Sequence, residues 1–256
     1  MTPSPPPAPH ETRLRRTNLI LGSLHGLSAA AMLTLSNDFS LPVTATFLDG
    51  PPGDGAGQLD TLFDVRLGPA IAAFMILSSV FHFLVASPWG YPRYLRELRA
   101  GRNRFRWVEY SLSASLMIVL IAMLTGVSDV VALVALFGVN ASMILFGWLM
   151  ETVNPPDREP DWTPFWFGCV AGVVPWFAIG IYLWGPGSVG EPPAFVYGIF
   201  VSLFVFFNSF AINQWLQYKK AGRWADYYLG ERTYMGLSLV AKSLLAWQIY
   251  ANTLVG

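Results

Sequence analysis

Seven stretches of this 256-residue chain, each about twenty residues long, carry almost no charge, and that pattern limits what the chain can become. At 1.5 Å per residue, a helix of about 20 residues crosses the roughly 30 Å of hydrocarbon in a bilayer. The stretches run approximately Thr17 to Ser36, Leu67 to Ser87, Trp107 to Val127, Val130 to Met150, Thr163 to Trp184, Ala194 to Trp215 and Tyr234 to Val255. Charged residues make up 12% of the chain and hydrophobic ones 54%. Soluble domains carry about 25% charged residues, so composition excludes that class. The expected fold class is an all-α membrane protein, a bundle of seven transmembrane helices surrounded by lipid.

Residues 1–16 read as a disordered tail, because Pro3, Pro5, Pro6, Pro7 and Pro9 cannot bury a core, and residues 17–256 form the transmembrane domain. Arg13, Arg15 and Arg16 precede an apolar run too long for a cleaved signal sequence, which reads as a signal anchor. The single Cys169 rules out an internal disulfide. Net charge is zero, so nothing in the balance points to nucleic acid as a partner. Lys and Arg are distributed unevenly: with the N-terminus cytoplasmic, fourteen of the sixteen fall on the inside, only Arg66 lies outside, and Lys242 is buried. The positive-inside rule then puts the N-terminus in the cytoplasm and the C-terminus outside, in a multi-pass cell-membrane protein. The cluster from Arg93 to Arg106 serves that topology and also suits anionic lipid or an acidic protein.

The connection over residues 37–66 is the one long outer loop. Within it Leu41 to Leu48 is rich in β-branched and aromatic residues and precedes the turn signal Asp49-Gly50-Pro51-Pro52, which predicts a short extracellular β-hairpin.

Ionisable residues inside the spans are costly, and they concentrate at one depth. Glu109 lies three residues past Arg106, about 4 to 5 Å beyond the inner boundary, and Lys242 lies eight past Tyr234, about 12 Å deep. Lysine leans toward its helix N-terminus, so the amine and the carboxylate can meet. His25, His82 and Glu151 fall in the same inner half. Ser78, Ser113 and Ser238 each stand four residues from His82, Glu109 and Lys242 respectively, on a shared helix face. A polar inner cavity and a mainly apolar outer half follow. Two chemistries suit the pair: a structural tie between the third and seventh spans, or an imine from Lys242 to an aldehyde cofactor with Glu109 as charge balance. The second predicts an aromatic slot, for which Tyr110, Phe206, Phe207 and Trp247 are candidate walls. His25 and His82 alone provide too few ligands for a zinc site.

Seven helices with a lysine in the seventh resemble the microbial rhodopsins, and Ser238-Leu239-Val240-Ala241-Lys242-Ser243-Leu244-Leu245-Ala246-Trp247-Gln248 resembles the heliorhodopsin motif in particular, supported by Arg106-Trp107-Val108-Glu109-Tyr110. The resemblance implies a rhodopsin-type bundle with an inside N-terminus and all-trans retinal on Lys242 as a protonated Schiff base. Glu109 would be the counterion, with Ser78, Ser113 and Ser238 near the Schiff base, His25 and His82 in the inner polar network, and Asn140 beside the chromophore. It also implies a homodimer through the outer hairpin, to which the small residues Gly168 and Gly172 could contribute if they do not simply pack within the bundle. Pump-type rhodopsins carry an aspartate where this chain has Ser238 and a reprotonation carboxylate where it has Leu120. Without that donor, reloading the proton depends on bulk access. The reading is a light sensor with a slow photocycle, no ion transport and no enzymatic activity, acting on a cytoplasmic signalling partner that the sequence does not name. The alternative is a light-driven proton transporter using a nonstandard route through His25 and His82.

Overall fold

A computed structural model describes residues 9–51, 57–185 and 192–255. In chain order it contains α1 (Pro9–Leu35), β1 (Ser40–Thr46), β2 (Leu59–Arg66), α2 (Leu67–Ala86), α3 (Gly90–Arg99), α4 (Arg104–Leu124), α5 (Val130–Val153), α6 (Thr163–Trp184), α7 (Ala194–Tyr218) and α8 (Tyr227–Ile249). A backbone in hydrocarbon has no water to bond, so helices are the expected solution. Six of them, α1, α2, α4, α5, α6 and α7, are long and apolar enough to cross a membrane. α8 is long enough, but Glu231, Arg232 and Lys242 interrupt its apolar stretch.

Local chemistry sets the helix ends. The side chains of Asn103, Asp129 and Asp226 accept from the backbone N–H groups of Arg106, Ala132 and Tyr228, satisfying otherwise orphaned donors at the starts of α4, α5 and α8. Pro164 opens α6, where a missing N–H costs nothing. Gly126, at φ +103°, turns the chain between α4 and α5.

α4 is the most buried of the six apolar spans and contacts α2, α5, α6 and α7. Its C-terminal half, nearer the hairpin, with Met117, Ile118, Leu120 and Ile121, joins Ile71, Phe74 and Met75 of α2 and Leu245 and Ile249 of α8 in the main core. The outer surface is apolar as well: Val131, Val170 and Phe177 are exposed, as lipid-facing residues should be.

β1 and β2 form the expected antiparallel hairpin, with Ser40 opposite Arg66 and a bulge between Val43 and Thr44. It rests on the turn between α4 and α5, where Thr44 N donates to Ser128 O at 2.8 Å. The predicted turn at Asp49–Pro52 is described as far as Pro51, and Pro52 lies outside the described residues.

Several helix ends shift by about three residues from the sequence expectation, and the larger differences are at α1, α3 and α8. α1 starts at Pro9, so residues 9–16 are helical and not part of a tail; Pro3, Pro5, Pro6 and Pro7 lie outside the described residues. The cause is tertiary: Glu11 takes two hydrogen bonds from Arg99 of α3, at 2.8 and 2.7 Å, and Leu14 packs among Tyr91, Tyr94 and Leu98. α3 was not anticipated, although Tyr91, Tyr94, Leu95 and Leu98 have the i, i+3, i+4, i+7 spacing of an amphipathic helix. α8 begins at Tyr227, seven residues before the apolar window, because Glu231 is drawn into the bundle. Gly168 and Gly172 face Phe146 and Met143, so their spacing brings α6 against α5 within the bundle.

Gly147 on α5 marks another close approach, since a Cβ there would lie 2.5 Å from Trp107 Cζ3. Gly147→Val should displace Trp107 and cost about 1–3 kcal/mol, lowering the midpoint of thermal unfolding by about 3–10 °C. Tryptophan fluorescence during heating measures this, and an unchanged midpoint would show that α5 moves aside freely.

Candidate functional site

Three helices bring their polar side chains together at one point. Lys242 Nζ of α8 lies 2.6 Å from Glu109 Oε1 of α4 and 2.7 Å from Ser78 Oγ of α2, and the Ser78 hydroxyl donates to the same Oε1 at 2.6 Å. All three are buried: Lys242 is 3% exposed, Glu109 6% and Ser78 0%. A pair this deep is weakly screened, so its charges hold one another strongly, while either one alone would carry a large desolvation penalty. The amine also lies over the Tyr110 ring, 5.1 Å from its centre, and the Tyr110 hydroxyl donates to Tyr234 O, which fixes the ring. The lysine's backward lean toward Glu109 was legible in the sequence, whereas Ser78 bonds Glu109 and Lys242 and not its i+4 neighbour His82. The Ser113 and Ser238 hydroxyls bond neither Glu109 nor Lys242.

From Lys242 a cavity of about 280 Å³ opens between α4, α5, α6, α7 and α8. Tyr110, Met117, Ile144, Phe207 and Ala241 line it, and Trp176 stands edge-on to Phe207 at 5.3 Å. Its size is near the lower end of the roughly 300–1,000 Å³ of small-molecule sites. An apolar chamber with one primary amine at its polar end fits an apolar aldehyde. Ser238 and Phe207 line this cavity as expected. Phe206 is not part of the lining: it lies 100° round the helix from Phe207, half-buried against the main core. Asn140 is also off the cavity, donating to Ser115 Oγ at 3.1 Å, and Trp247 packs on Tyr250.

On the other side of Glu109 is a polar space of about 40 Å³, lined by Asn18, Ser78, His82, Arg106, Glu109 and Glu231, enough for about three waters. His25 and His82 stack with ring centres 5.6 Å apart, and His82 Nδ1 pairs with Asn18 Oδ1 at 2.8 Å. Both nitrogens of His25 and the Ser113 hydroxyl are buried without a hydrogen-bond partner among the described residues.

Sequence reasoning missed the ionic layer beneath. Arg106 on α4 is buried between Glu151 of α5 and Glu231 of α8, paired with both. Trp107 Nε1 and Asn103 N donate to Glu151 Oε2 at 2.6 and 2.8 Å, and Asn103 Nδ2 donates to Glu231 Oε1 at 2.7 Å. Tyr94 and Tyr227 add hydroxyl donors, and the guanidinium lies 4.1 Å from the centre of the Tyr234 ring. From the sequence, Glu151 belongs among the ionisable groups of the inner half and Arg106 marks the inner boundary of its span, with no pairing between the two and no part for Glu231. The available signal was that Arg106 stands three residues before Glu109, and Glu231 three before Tyr234, each pair on one helix face.

A search among curated proteins finds no match. Comparison with protein-family models matches residues 14–254 to Heliorhodopsin. With nearly the whole length matched by the family model, and with seven long helices, a two-stranded hairpin and an amine-ended apolar chamber between α4 and α8, the chain belongs to the heliorhodopsin family, whose members are retinal-binding membrane proteins.

Proposed function

We propose that the protein is a light sensor in which Lys242 carries all-trans retinal and Glu109 is the counterion. The observation that carries this reading is the buried contact of 2.6 Å between Lys242 Nζ and Glu109 Oε1 at the mouth of an apolar chamber. Retinal joined to Nζ as a protonated Schiff base supplies visible absorption and a light-driven change of double-bond geometry. Glu109 holds a negative charge beside Nζ, and Ser78, bonded to both, keeps the two in register. When the charge at Nζ moves or is lost, the hydrogen bonds of Ser78 and Glu109 must be redistributed. His25, with two unpartnered nitrogens, and His82 stand ready to receive them. The small polar space joins Glu109 to Arg106 and Glu231, so the change reaches the inner ends of α4 and α8, where a cytoplasmic partner would read it.

The arginine-rich end, which holds the start of α1 and all of α3, is the cytoplasmic end by the positive-inside rule. Exposed Phe47, Leu48, Leu59 and Phe63 make the outer hairpin an apolar face suited to a homodimer. Transport is disfavoured because the buried outer half of α4 is Met117, Ile118, Leu120 and Ile121, which cannot replace an ion's hydration. A slow photocycle is consistent with Leu120 where pumps keep a proton donor.

Lys242→Ala should abolish the visible band of protein supplied with retinal, and mass spectrometry of the reduced adduct should place retinyl on Lys242. A band that survives the substitution refutes the assignment. Glu109→Gln should move the absorption maximum to longer wavelength, because excitation moves positive charge away from the nitrogen and the lost carboxylate no longer opposes this. An unshifted spectrum at neutral pH argues against the counterion role. Illuminated cell suspensions should show no uncoupler-sensitive pH change, and a sustained one would favour proton transport.

A further inference from the structure

The arginine-rich end carries a groove that the chamber and its ion pair do not involve. α3 lies across that end, burying Tyr91, Tyr94, Leu95 and Leu98 and turning Arg93 and Arg96 outward. Beside it a groove of about 490 Å³ is walled by half-buried Phe81 and Leu84 of α2 and Phe105 and Val108 of α4, with Arg93, Arg96, Arg104 and Glu97 along its rim.

The charges at the rim do not cancel. Glu97 is paired with Arg104 and lies 4.0 Å from Arg102. Among the described residues, neither Arg93 nor Arg96 has a carboxylate within ion-pairing distance. Three rim arginines against one carboxylate leave two positive charges. Arg93 is also held in place: its guanidinium stacks 4.0 Å from the centre of the Trp89 ring and donates to Trp89 O at 2.8 Å. Trp89 is 55% exposed, as suits a tryptophan at a membrane interface.

The apolar walls belong to two helices that cross the membrane, and the surplus charge sits where those helices leave it. That arrangement matches a phospholipid, whose phosphate lies at the interface and whose chains run along the spans. An acidic protein would satisfy the arginines but leave Phe81, Leu84, Phe105 and Val108 without an occupant. We propose that this groove binds an anionic phospholipid of the adjoining leaflet, its phosphate held by Arg93 and Arg96 and an acyl chain lying along the α2 and α4 walls. Guanidinium groups pair with phosphate oxygens through two parallel hydrogen bonds, which gives arginine the advantage over lysine.

Native mass spectrometry of the full chain, given equal amounts of phosphatidylglycerol and phosphatidylcholine, tests the site. Wild type should retain phosphatidylglycerol selectively. At about fivefold in affinity per basic residue at an anionic surface, Arg93→Gln with Arg96→Gln should lower retention about 20- to 30-fold. Arg13→Gln with Arg16→Gln, which removes two exposed arginines from the same end, should leave it unchanged. Leu84→Ser with Val108→Ser should also weaken retention, with an unchanged thermal midpoint in every variant showing that the fold persists. Equal losses in both arginine pairs would mean a diffuse surface charge and overturn the proposal. Loss from the Arg93 and Arg96 pair with none from the wall variants would mean a headgroup or free phosphate alone, and would overturn it too.

Discussion

A cation and an anion buried side by side in a membrane protein constrain everything around them. Lys242 and Glu109 are stable at that depth only together, and only if the remaining lone pairs and protons find partners, which Ser78 supplies from a third helix. The pair therefore fixes the relative rotation of α2, α4 and α8. It also separates the apolar chamber toward α6 and α7 from the polar space toward α1, so chromophore-sized volume and water-sized volume lie on opposite sides of one carboxylate.

The ionic layer around Arg106 follows the same rule one turn closer to the surface. One guanidinium faces two carboxylates, and the excess negative charge is spread over donors from Trp107, Asn103, Tyr94 and Tyr227. Breaking such a cluster by removing one partner costs far more than any single contact suggests, because the remaining charges are left desolvated. This explains how α8 can be part of the bundle despite its charges: Glu231 and Lys242 are each ion-paired with a residue of α4.

The spans, the hairpin and the meeting of Lys242 with Glu109 were legible in the sequence because each depends on short-range periodicity or on depth along parallel helices. α6 begins and ends at the residues the apolar window gave. The early start of α1 and the burial of Glu231 were not legible, because each depends on a charged partner 88 and 125 residues away in the chain. Phe206 and Asn140 were placed at the chamber by residue type and by family likeness, and helix rotation put them elsewhere. α3 was legible in principle: Tyr91, Tyr94, Leu95 and Leu98 carry helical apolar spacing, although the segment is too short and too charged to cross a membrane.

Arg106 and Glu109 share one face of α4, three residues apart. A twist of that helix large enough to withdraw the carboxylate from Nζ also drags the guanidinium out from between Glu151 and Glu231. The two polar shells are thus geared to a single shaft, so that a rotation of α4 at the deeper one is also a rotation at the shallower.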